Sequence, residues 1–142
     1  MLAIHPVVQS FAILIAFYVF SLGIHRTRAL HFHQKTAFNW KRHVLLGKIA
    51  FGILIAGFCS GLIMVHVHWR KAFITGLHGK IALALFPLIV FGLLSGLYMD
   101  SLKKRRKVLP IIHGINNLIV LILSVVQITT GLTVYVNFVL DR

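Results

Sequence analysis

With 142 residues, 58% of them hydrophobic, and a mean hydropathy of +0.91, the chain is too apolar for a water-soluble fold. An ordinary soluble domain would carry about twice the charge found here. Fifteen Lys and Arg stand against two acidic residues, for a net charge of +13, which in a soluble protein would point to nucleic acid. Here the cations fall between long apolar runs, so the charge reads as membrane topology and no nucleic-acid partner is expected.

Four runs reach the roughly 20 apolar residues that a bilayer span requires. In chain order they are read as spans over about 5–24, 44–65, 77–99 and 110–138. The expected fold is an all-α membrane protein, an up-down four-helix transmembrane bundle forming a single domain over 1–142. The first run has almost no positive leader and reads as a permanent span rather than a cleaved signal. The fourth is long enough to tilt or to project beyond the bilayer. Spans one and two each begin with a histidine, as do three and four, which gives a faint two-fold repeat.

Loop one carries Arg26, Arg28, Lys35, Lys41 and Arg42, and loop three carries Lys103, Lys104, Arg105, Arg106 and Lys107. Loop two has only Arg70 and Lys71, and the C-terminal tail only Arg142. The positive-inside rule therefore places loops one and three in the cytoplasm. Both termini are then expected on the periplasmic face of a bacterial inner membrane. The run 103–107 is also suited to anionic lipid headgroups. The sole cysteine, Cys59, lies mid-span and reads as a small packing residue.

A histidine opens every span: His5, His43, His78 and His113. An imidazole near hydrocarbon is costly without a partner and is a functional candidate. Opposite ends of a 20-residue helix lie about 30 Å apart, so depth pairs His5 with His78 on the outer side and His43 with His113 on the inner. Alternate helices lie diagonally in an up-down bundle, and two imidazoles facing each other are the axial ligand set of a haem iron. The expected cofactors are two haem b, held non-covalently because the chain has no C-x-x-C-H. Gly47, one turn beyond His43, is expected to admit a flat macrocycle. Lys41, Arg42, Lys48, Lys71 and Lys80 are candidates to neutralise its propionates, or else mark topology by snorkelling. Asn116 and Asn117, one turn from His113, and Gln9, one turn from His5, are expected to orient ligands or to join helices. His66 and His68 are alternates for the outer layer, and His-x-His also suits zinc or copper.

The motifs His5-Pro6, Lys41-Arg42-His43 with Gly47, Leu77-His78 and Ile112-His113-Gly114 resemble those of the cytochrome b561 family of trans-membrane electron transfer. The resemblance covers essentially the whole chain and implies the family's four-helix di-haem core, with helix one paired to three and two to four. It implies that Lys41 corresponds to the family lysine associated with ascorbate. The flanking helices usual in the family have no counterpart here. Short prokaryotic relatives point instead to quinol or a partner cytochrome as the redox partner. The expected function is a di-haem b-type cytochrome carrying electrons between a quinol or other donor and a partner redox protein. Its expected partners are membrane lipid and either a partner cytochrome or further copies of itself in a homo-oligomer; a haem-free scaffold subunit and a histidine-based proton or metal transporter are the alternative functions.

Overall fold

The computed structural model describes residues 3–70, 74–104 and 106–140, the side chain of residue 31 excepted. Arg105, Lys71 and Arg142, named above for topology or propionate pairing, lie outside the described residues. Helices α1 (Ile4–His31), α2 (Trp40–Trp69), α3 (Leu77–Ser101) and α4 (Val108–Tyr135) follow one another, with a short π turn over Val136–Leu140 extending the last. All four are long and apolar enough to cross a bilayer, and no strand occurs among the described residues.

Each helix overruns the apolar run from which it was read, because the polar ends stay helical where water or headgroups replace hydrocarbon. Local chemistry sets several ends. Asn39 caps α2, its side chain accepting from the Arg42 amide at 3.1 Å, which satisfies one orphan N–H of the first turn. Gly76 precedes α3 at φ 59°, a left-handed conformation open to glycine at no steric cost. Pro87 lies within α3 on its exposed side.

The helices form a ring: α1 packs on α2, α2 on α3, α3 on α4, and α4 closes against α1. The diagonal pairs α1/α3 and α2/α4 make no direct backbone approach among the described residues, which leaves space along the axis. A small core of Ala12, Ile13, Leu54, Leu85, Ile89 and Val120 fills mid-height. The outer surface is equally apolar, with Phe11, Leu14, Ile63, Leu94 and Leu132 all more than half exposed. An apolar exterior of this extent is stable only against lipid or a partner.

Candidate functional site

The ring brings the four span-opening histidines into two layers. At the inner end His43 of α2 and His113 of α4 face each other across the diagonal, with ring centres 6.5 Å apart and planes at 67°. At the outer end His5 of α1 lies within electrostatic reach of His78 of α3. These are the pairs expected from depth.

Each imidazole lies against a glycine of the neighbouring helix. A Cβ on Gly61 would meet His5 Cε1 at 3.1 Å, and one on Gly23 would meet His43 Cε1 at 3.3 Å. The corresponding contacts are Gly131 to His78 at 3.1 Å and Gly96 to His113 at 3.3 Å. The contacts are reciprocal within the hairpins α1–α2 and α3–α4. In every helix the glycine follows that helix's own histidine by 18 residues. Eighteen residues are five turns of 3.6, so histidine and glycine share one face at opposite ends. The sequence reading missed this spacing, although it was present as His-x17-Gly four times over.

Hydrogen bonds favour one tautomer in three of the four rings. His43 Nδ1 lies 3.0 Å from the Val19 carbonyl, which only accepts, so Nδ1 carries the proton and Nε2 the lone pair. Ser95 Oγ lies 3.2 Å from the Gly92 carbonyl and 2.8 Å from His113 Nδ1; with its proton on the carbonyl it accepts from Nδ1–H, the tautomer that the Asn117 amide at Nε2 also favours. Thr130 Oγ1 likewise donates within its own helix, to Val126 and Gln127, and accepts from His78 Nδ1 at 3.2 Å. His5 Nδ1 is buried without a hydrogen-bond partner. Beside it, Ser60 Oγ, which immediately precedes Gly61, donates to the Gly57 carbonyl at 3.0 Å.

The other candidates divide. Asn117, not Asn116, reaches a ligand candidate: its Nδ2 lies 2.9 Å from His113 Nε2. Asn116 joins helices instead, donating to the Leu88 carbonyl at 3.0 Å and to Asn117 Oδ1 at 3.2 Å. Gln9 also joins helices, donating to the Ile53 carbonyl at 3.2 Å. Gln9 fills the space opened by Gly57, where a Cβ would collide with its amide. Gly47 lines the inner cavity and faces Val19. Lys48 lies at that cavity too, but is paired with Asp100 at 3.2 Å. Lys41 and Lys80 are exposed, as are His66 and His68. His68 Nδ1 turns back to the Met64 carbonyl at 3.0 Å, and His66 borders a surface hollow of about 480 Å³ with Arg70.

The inner layer opens into a cavity of about 1010 Å³ bounded by all four helices, at the upper end of the roughly 300–1,000 Å³ typical of small-molecule sites. His43 and His113 line it, Gly23, Gly47 and Gly96 widen it, and Arg26, Lys103 and Arg106 edge it. Two imidazoles bound to one metal at about 2 Å from each nitrogen have ring centres roughly 6 Å apart, close to the separation seen here. Protonated Nδ1 atoms leave Nε2 as the donor, the usual arrangement of a metal-binding histidine. At His113 a metal would require the Asn117 amide to turn aside. With that one rotation the residues present fit a haem. Comparison with protein-family models, with characterised proteins and with solved structures finds no match to this chain.

Proposed function

We propose that this is a membrane-embedded b-type cytochrome that carries electrons between the two faces of the bilayer, with one haem at each histidine layer. The observation that carries this reading is the inner pair: two imidazoles from diagonal helices, 6.5 Å apart, at a cavity of about 1010 Å³. Among the described residues no three His, Cys, Asp or Glu side chains converge. A bare ion would thus find two protein ligands in either layer, whereas a porphyrin brings four of its own. When bound, haem supplies reversible one-electron chemistry at two depths, separated along the helices by at most about 27 Å, the rise of 18 residues.

The chain's own part is to hold and to exclude. His43 and His113, and His5 with His78, would be the axial ligands. Gly23, Gly61, Gly96 and Gly131 give each ring its place, and the mid-height core keeps water out of the space between layers. Arg26, Lys103 and Arg106 at the inner cavity offer positive charge to propionates. Lys41, Lys48 and Lys80 remain subsidiary candidates, with Lys48 already engaged by Asp100. On the same reading the chain is b561-like, lies in a bacterial inner membrane with periplasmic termini, and exchanges electrons with a quinol or a partner redox protein. The test is a pyridine haemochrome assay on protein purified from haem-replete cells. About two b haems per polypeptide are expected, and a colourless protein would overturn the reading.

A further inference from the structure

We infer that Ser95 and Thr130 are positioning residues, which hold His113 and His78 in the one tautomer that leaves Nε2 free for a metal. The inference rests on the cytochrome reading for its consequence but on hydrogen bonding alone for its geometry. Both hydroxyls immediately precede the glycine against which the histidine packs. Each spends its proton on its own helix: Ser95 on the Gly92 carbonyl at 3.2 Å, and Thr130 on the Val126 carbonyl at 3.1 Å or on Gln127 Oε1 at the same distance. An oxygen so committed offers the imidazole only a lone pair, and the imidazole must answer with Nδ1–H. A hydroxyl–glycine dipeptide thus does two things in one step, anchoring one edge of the ring and making room for another. Ser60-Gly61 repeats the dipeptide opposite His5, whose Nδ1 it does not bond, while α1 carries Leu22-Gly23. There His43 bonds straight to the Val19 carbonyl at 3.0 Å. At His78 the Gln127 backbone, which like Val19 stands four residues before the glycine, adds a contact of the same sense beside the hydroxyl.

The full chain carrying ¹⁵N-histidine, prepared free of haem, unmodified and as Thr130→Ala and Thr130→Ser, tests this by the imidazole nitrogen shifts of His78, with haem retention measured separately on the loaded protein. At His113 the Asn117 amide at Nε2 favours the same tautomer; at His78 the Gln127 backbone does so as the smallest of its interactions. In the unmodified chain and in Thr130→Ser, Nδ1 of His78 should be the protonated nitrogen. In Thr130→Ala the signal should divide between tautomers, and the outer haem should be held about 10–100-fold less tightly, the usual cost of losing such a partner, with the inner haem unchanged. Ser95→Ala should loosen the inner haem alone, and Ser95→Thr should restore it. An undivided His78 signal in Thr130→Ala with unchanged haem retention would overturn the inference. Should the unmodified chain bind no haem, the cytochrome reading fails by itself. The His78 nitrogen shifts then decide the inference alone, a divided signal in Thr130→Ala upholding it and an undivided one rejecting it.

Discussion

Single side chains carry the sharpest consequences. Each iron would depend on two imidazoles, and the two layers share none. His113→Ala and His43→Ala are therefore expected to give the same reduced spectrum, lacking the inner haem, while His5→Ala and His78→Ala both lack the outer one. His25→Ala, His66→Ala and His68→Ala should keep both, since all three are exposed. Loss of a haem from His68→Ala with retention in His5→Ala would transfer an outer ligand to α2. The glycines divide in the same way. Gly61→Val and Gly131→Val place new methyls where a Cβ is already 3.1 Å from an imidazole, and overpacking of this kind costs about 1–3 kcal/mol. Gly52→Ala and Gly114→Ala meet nothing within 4 Å and should leave thermal loss of the haem absorbance unchanged. The histidines were legible in the sequence because an imidazole at the end of an apolar run stands out. Their glycine partners were not, because a spacing of five turns lies outside the windows in which helical faces are usually read. Nor could sequence choose between Asn116 and Asn117. They differ by 100° around the helix, and in a helix apolar on every side nothing local fixes its rotation. Lys48 reads from sequence as either a propionate partner or a snorkelling cation, and its ion pair with Asp100, 52 residues away, is beyond the reach of local pattern.

The helices behave as two hairpins. Every histidine–glycine contact lies within α1–α2 or within α3–α4, whereas each histidine pair takes one ring from each hairpin. A chain cut between α2 and α3 and expressed as two pieces should therefore reassemble with about two haems per pair of pieces. Either piece, held as a monomer, should bind none, as absorbance of the separated pieces would report. A monomeric hairpin that holds a haem would show that a layer can be completed without the diagonal helix. The number and order of helices were plain from hydropathy, which senses where hydrocarbon must be faced. Their true lengths were not, since α1 continues to His31 and α2 to Trp69 through residues that lie beyond the apolar core.

Across the whole molecule most of the described cations gather at one end of the bundle, with Arg70 and Lys80 at the other. Arg42 reaches the Tyr18 hydroxyl at 3.3 Å, Lys103 lies 4.3 Å over the Trp40 ring and Arg106 4.7 Å from Tyr98. These contacts bring the described parts of loops one and three together at a common end of the bundle. Reporter fusions should place that end in the cytoplasm and the C-terminus on the opposite face. A C-terminal reporter active only in the cytoplasm would invert the molecule and exchange the two layers.

The reciprocal histidine–glycine contacts also bear on origin. Two hairpins with the same 18-residue spacing, related by a half-turn about the bundle axis, are what a single ancestral hairpin would produce by pairing with its own copy and then being fused in tandem. Under that history each layer began as one histidine facing its own duplicate. Leu22 in place of a hydroxyl and Asn117 where α3 has Ala82 would be marks of later divergence. The two ends of such a fused chain need not have remained chemically equivalent, and the freedom to tune one without the other is what duplication would have made available.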